Sequence, residues 1–255
     1  MAVFITGDIH GEVDIAKLRS ANFDATGMTR DDYIIILGDF GFPWCDPPSM
    51  NDTYWLDWLE KQPWTTLFID GNHDNFDALA KFPTESWHGG QVRRLREHVM
   101  HLARAEVFEI GGHTFFTMGG AYSVDRQWRT PFVSWWPAEI PTEEVRALAD
   151  KKIAEVGEVD FVLTHCPPSA ALYEMCHDYL VAELQIDEYN LWLQAHIGDH
   201  LKFKRWFFGH MHVDQPWKQP YTPLYDCIFD LDGTRRTFYG IHTDWDKVEY
   251  IGYDE

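Results

Sequence analysis

Apolar and polar positions alternate along this chain in two rhythms. Short apolar runs rich in β-branched and aromatic residues, "AVFIT", "DYIIIL", "WTTLFID", "HTFFTM", "VDFVLT" and "KRWFFG", each end in a glycine or a small polar cluster. Runs of that length predict buried strands. Between them, "DIAKLRSANF", "NDTYWLDWLEKQ", "TEEVRALADKKIAEVG" and "LVAELQIDEYNLWLQAHIGDH" carry apolar residues at helical spacing. Strand, helix, strand alternation predicts a largely parallel sheet with helices outside it. From about Tyr225 the pattern changes to alternation with an Asp232-Gly233 turn signal, which predicts antiparallel strands. Without a low-complexity linker or repeat, one domain spanning residues 1–255 is expected, with parallel and antiparallel strands together.

The residues just past each strand are chemically uniform. Asp8 and His10 come after the first run, Asp39 after the second, Asn72, His73 and Asp74 after the third. His165 comes after "FVLT", and His210 and His212 after "WFFG". Five runs thus deliver metal-type donors at their carboxyl ends, the edge where open α/β sheets bind ligands. In extended chain, residues i and i+2 point the same way, so Asp8 with His10, and His210 with His212, can each present two groups to one cavity. A carboxylate can give one oxygen to each of two ions, which makes Asp39 the expected bridge. Mixed imidazole, carboxylate and amide donors suit a pair of divalent transition-metal ions, Mn first, with Fe, Zn or Ni as alternatives.

Charge narrows the chemistry. The net charge of -20 argues against long nucleic acids and anionic membranes as partners. Two divalent ions would outweigh Asp8 and Asp39 and leave a local positive site that selects phosphate. Paired ions acidify a bridging water and clamp the oxygens of an in-line displacement. His73, beside Asn72 but not needed as a ligand, could protonate the leaving oxygen. Four scattered cysteines, Cys45, Cys166, Cys176 and Cys227, fit reduced thiols, and Cys166 is expected as a buried free thiol. With no membrane-length apolar stretch and no room for a leader ahead of "VFITGDIHG", a cytoplasmic location is expected.

The blocks "GDIHG", "GDFG", "GNHD", "LTH" and "GHMH", spread from residue 7 to 212, resemble in order the five signature blocks of the calcineurin-like metallophosphoesterases. The resemblance implies a four-layer α/β/β/α sandwich with two facing mixed sheets. It also implies that Asp8, His10, Asp39 and His212 hold one ion, that Asp39, Asn72, His165 and His210 hold the other, and that His73 is catalytic. One departure stands out. Relatives that act as protein phosphatases or bis-nucleoside tetraphosphatases read "GDxxDRG" at the second block, whereas this chain reads "GDFGFPW". Phe42 and Pro43 occupy the Asp and Arg positions, so the carboxylate partner of the catalytic histidine and one phosphate-binding arginine are missing.

The segment 119–141 offers replacements: Arg126 or Arg129 could bind phosphate bidentately, and Trp128, Trp135 and Trp136 could wall the site or serve as core. His196 and His200, four apart without a glutamate motif, read as helix surface. Large side chains between the fourth and fifth blocks, including Tyr173, Tyr179, Leu180, Leu184, Tyr189 and Trp192, read as packing on the outer sheet face, with a homo-oligomer interface left open. The functional expectation is metal-dependent hydrolysis of a small phosphodiester or phosphomonoester, nucleotides included. A nuclease acting on polynucleotides and a non-catalytic scaffold are the alternatives.

Overall fold

In a computed structural model that describes residues 1–177 and 186–233, the six apolar runs are all strands. β1 (Val3–Thr6), β2 (Tyr33–Leu37) and β3 (Thr65–Ile69) lie parallel, with Val3 opposite Tyr33 and Tyr33 opposite Thr65. β4 (Thr84–Trp87), β5 (Gly90–Arg96) and β6 (Val99–Leu102) form an antiparallel trio, joined to the sheet by a parallel β3–β6 pairing. The second sheet holds β7 (Glu106–Ile110), β8 (His113–Met118), β9 (Phe161–Thr164), β10 (Arg205–Phe208) and β11 (Tyr221–Pro223). There β8 to β11 are parallel and β7 is antiparallel to β8. β12 (Ile228–Asp230) returns antiparallel to β1. The orders are β12-β1-β2-β3-β6-β5-β4 and β11-β10-β9-β8-β7.

Strand alternation sorts the core into three apolar layers. Val3, Ile5, Ile35, Leu67, Phe115, Leu163 and Phe207 face one another between the sheets. Phe4, Ile34, Ile36 and Phe68 point the other way, onto Trp55, Leu56 and Leu59 of α1 (Met50–Glu60). After the short α2 (Phe76–Leu79), the remaining helices are α3 (Glu143–Val156), α4 (Ser169–His177) and α5 (Glu188–Trp192). Ala149 and Ile153 of α3, with Tyr189 and Trp192 of α5, cover Phe116, Val162, Trp206 and Phe208. The result is an α/β/β/α sandwich with two mixed sheets. Among the described residues no helix is long and apolar enough to cross a membrane.

Two expectations need correction. Residues 14–23 carry helical spacing but form only one 3-10 turn, Ile15–Leu18, because tertiary bonds claim the side chains a helix would leave outside. Lys17 is fully buried, and its Nζ donates to the carbonyls of Gly7 (3.3 Å), Asp8 (2.6 Å) and Tyr225 (2.5 Å). The expected helix over 180–200 is described only from residue 186, where α5 runs into a π-helix, Leu193–Gly198. Tyr189 and Trp192 pack on the outer face as expected, Tyr173 is exposed, and Tyr179, Leu180 and Leu184 lie outside the described residues. The antiparallel tail is seen as β12 and the turn at Gly233, and its continuation also lies outside them.

Candidate metal centre

The loops that leave β1, β2, β3, β9 and β10 at their carboxyl ends converge where the two sheets meet. Glycines make the approach possible. A Cβ on Gly38, whose φ is 95°, would lie 2.3 Å from the His165 ring, and one on Gly209 would lie 2.2 Å from Asp8 Oδ1. The backbone is also strained here. His10, Asp39, His210 and His212 have φ of 41°, 46°, 62° and 50°, a left-handed region that side chains other than glycine rarely enter. This corrects the expected mechanism of pairing. Left-handed turns after the strands, rather than continued i, i+2 alternation, bring these pairs to one cavity.

The donors fall into two groups that share Asp8, with Asp39 between their histidines. In the first, Asp8, His10 and His212 offer atoms all within 4.8 Å of one another, with His212 Nε2 3.1 Å from Asp8 Oδ2. In the second, Asp8, Asp39 and His165 do the same. The rings of His10 and His212 lie 5.0 Å apart, as do those of His165 and His210. The two histidines of "GHMH" are therefore addressed to different groups. Asp39 spans both: Oδ2 is 3.3 Å from His10 Nε2 and Oδ1 is 3.3 Å from His165 Nε2. Asn72 Oδ1 lies 3.1 Å from the same His165 nitrogen.

The balance of donors and acceptors in this set fits a cation. His165 Nδ1 is 2.7 Å from the carbonyl of Leu37, which can only accept, so Nδ1 carries a proton, and Nε2 faces two further acceptors, Asn72 Oδ1 and Asp39 Oδ1, an arrangement that calls for a cation at that nitrogen, a proton or a metal ion. Asp8 Oδ2 is buried with no well-aligned hydrogen bond, although His212 Nε2 lies 3.1 Å from it. Converging lone pairs of this kind need a positive charge between them. The titration behaviour carries the same field. Burial lowers the pKa of His165, but Asp39 and Asp8 outweigh it and push the ring up to about 10. Burial likewise opposes His10, yet the bond to Asp39 and the two carboxylates raise it to about 9. Asp39, despite burial, is held well below the ordinary carboxylate range by His165 and His10.

Several supporting residues are not legible in the sequence. Asp14 Oδ2 lies 2.7 Å from His10 Nδ1 and accepts at 3.3 Å from the Tyr225 hydroxyl, which fixes Nε2 of His10 toward the donors. The i, i+4 spacing of His10 and Asp14 is a signal that could have found this pair, but the helical pattern beginning at Asp14 masks it. Asp74 ties two ligand loops together, accepting from Gly41 N (2.7 Å) and Gly71 N (2.8 Å). Burial and Asp39 raise its pKa to about 6. Tyr225 stacks on His212 with ring centroids 4.3 Å apart.

His73 reaches the rim of the centre. Its N–H donates to Asp39 Oδ1 at 2.6 Å, and its ring lies 5.8 Å from that of His10. The residue against its Nε2 is Arg129, with Nη2 3.4 Å away. Arg129 is itself held by Asp125 Oδ1 (2.7 Å) and the Ser134 carbonyl (3.1 Å). Burial, then the positive charges of Arg129 and His10, lower the pKa of His73 against the pull of Asp39. Phe42 is buried between Phe40 and Trp55, an apolar filling at the position where the sequence lacks a carboxylate.

The two arginines of segment 119–141 part company. Arg129 shares a cleft of about 550 Å³ with His10, His73 and Trp44. Arg126 lies over the Tyr122 ring and lines a second cleft, of about 690 Å³, with Ser123, His210 and Met211. Trp128, Trp135 and Trp136 line neither cleft. Trp136 is buried against Trp44 and donates to Asp77, whereas Trp128 is 82% exposed. Cys166 is a buried thiol whose pKa burial pushes far up, and His196 pairs with Asp150 on the surface.

A model of the calcineurin-like phosphoesterase family matches residues 1–214, and the chain belongs to that family. Membership assigns it to metal-dependent phosphoester hydrolysis in general. No curated protein matches the chain.

Proposed function

We propose that this protein hydrolyses a small phosphodiester at a centre of two divalent transition-metal ions, Mn foremost. The observation that carries the reading is Asp39, whose two oxygens each face a histidine of a different donor group. Asp8, His10, Asp39 and His212 would hold one ion, and Asp39, Asn72, His165 and His210 the other. When bound, such a pair supplies acidified water and stabilises charge developing on phosphoryl oxygens.

The chain's own residues supply the rest. Arg129, its guanidinium pinned by Asp125 and Ser134, directs its remaining Nη2 at His73 and is placed to meet a phosphoryl oxygen beside it. It supplies from another part of the chain the cation that Pro43 cannot. His73, whose Nε2 accepts from Arg129 in the cleft they share, takes up a proton from solvent as a phosphoryl oxygen draws the guanidinium away, and then hands that proton to the leaving oxygen. The second cleft, beside His210 and Arg126, gives room for another organic group on the same phosphorus. Two clefts favour a diester over a monoester, and the net charge of -20 sets the chain against polynucleotides.

Hydrolysis of bis-p-nitrophenyl phosphate and p-nitrophenyl phosphate by Mn²⁺-reconstituted protein tests this. The expected result is metal-dependent turnover with higher kcat/KM for the diester. Preference for the monoester overturns the diester reading. Two bound ions without turnover of either ester points to a non-catalytic scaffold.

A further inference from the structure

Asn72 is the one amide in the proposed ligand set, and an amide has a problem that a carboxylate does not. Its two ends are nearly the same shape, but only the oxygen can bind a metal ion. Something must decide which end faces the centre. On the far side of the Asn72 amide, Nδ2 donates to Ser123 Oγ at 3.2 Å. Ser123 Oγ in turn donates to Glu139 Oε2 at 2.5 Å, and the Ser123 N–H donates to Glu139 Oε1 at 3.1 Å. All three residues are buried: Asn72 is 3% exposed, Ser123 4% and Glu139 1%.

The direction of this chain of bonds is forced. A carboxylate only accepts, so both Ser123 donors are committed to Glu139. With its one proton given away, the hydroxyl has only lone pairs left, and Asn72 must meet it with NH₂. The carboxamide oxygen is thereby turned toward His165 Nε2, 3.1 Å away. A flipped amide would set oxygen against oxygen at Ser123 and an N–H against whatever charge the centre holds, leaving buried groups unpaired at both ends.

We infer that Glu139 and Ser123 are positioning residues that lock the Asn72 carboxamide with its oxygen facing the centre, so that the ion on the Asn72 side depends on a carboxylate that never touches it. The inference rests on the reading of the centre as a two-ion site. The pair belongs to the 119–141 segment, which is fixed in place where Arg104, paired to Asp70 of the loop after β3, also donates to the Glu139 carbonyl at 3.1 Å. One segment thus serves the centre twice, through Arg129 at the rim and through Glu139 beneath it.

The test is calorimetric titration of Mn²⁺ into the metal-stripped full-length protein, wild type and Glu139→Gln. A glutamine can offer its own NH₂ to Ser123, which frees the hydroxyl to donate to Asn72 and releases the amide to flip. The expected result is that one of two binding events weakens about tenfold or more while the other stays within about twofold, with turnover recovering as Mn²⁺ is raised. Ser123→Ala removes the relay itself and is scored in the same way, deciding the matter if Glu139→Gln fails to fold by circular dichroism. Unchanged affinities in both variants overturn the inference. So does equal weakening of both events, which would mark general loosening. Wild-type protein that takes up no Mn²⁺ overturns the two-ion centre and this inference with it, a failure visible before any variant is compared.

Discussion

The two halves of the centre are built from different materials. On the Asp8 side, His212 and His10 keep 47% and 20% of their side-chain surface, whereas His165 on the other keeps 0% and the shared Asp39 1%. The open half is propped by ionisable and aromatic groups: Asp14 on His10, Tyr225 on His212, and Lys17 against the Asp8 carbonyl. The enclosed half is propped by the main-chain carbonyl of Leu37 and by the buried Ser123–Glu139 pair. Asp14 and Lys17 are themselves buried, so the contrast lies in the donors: solvent reaches His212 and His10 but not His165. An ion on the enclosed side should therefore exchange more slowly, and one on the open side should be the first lost to a chelator.

Substitutions can break or sharpen this contrast. The largest effect is expected from Asp39→Asn, the residue common to both halves. Both Mn²⁺ binding events should weaken in calorimetry and turnover should fall by orders of magnitude, and two tightly held ions with near wild-type activity would remove its bridging role. His73→Ala should cut kcat by about 10²–10⁴ while leaving both affinities intact, because it serves chemistry and neither half. Arg129→Ala should lower kcat/KM by about 10²-fold with both ions retained, and a change within about twofold would deny it a phosphate contact.

Smaller effects should separate the halves. Asp14→Ala frees the His10 ring and is expected to weaken the open-side event by about 10–100-fold without touching the enclosed one. Tyr225→Phe keeps the stack on His212 but loses the hydroxyl bond to Asp14. It should cost about 1 kcal/mol, a Tm decrease of about 2–4 °C in thermal unfolding, with little change in either affinity.

How much of this is legible in the sequence depends on the physics of each feature. Buried parallel strands announce themselves as unbroken apolar runs, so β1, β2, β3, β8, β9 and β10 and the donors after them are legible. The trio β4 to β6 is not. β4 alternates exposed with half-buried positions and β5 mixes buried with half-buried ones, and "TESWHGGQVRRLREH" lacks the apolar density that marks a covered strand. The props are the least legible. Ser123 is 51 residues from Asn72 and Glu139 is 67, distances at which only the folded sheets decide who meets whom. Lys17 reads as a solvated helix residue because nothing local says that three carbonyls await it. Arg129 is legible as a candidate since Phe42 and Pro43 leave a charge to be supplied, but its contact with His73 rather than with a distant wall required the structure.

Four of the seven proposed ligands occupy left-handed backbone, so each meets two demands at once, for what it donates and for a conformation that glycine enters freely and asparagine, aspartate and histidine more readily than other side chains. Alanine scanning at His10, Asp39, His210 or His212 would therefore mix two losses in one number. Asparagine, which changes the donor but tolerates the turn, is the replacement that isolates the metal's share. The same double demand means that transplanting "GDIHG" or "GHMH" into another sandwich would carry over the donors without the neighbouring loops that hold their backbone in place.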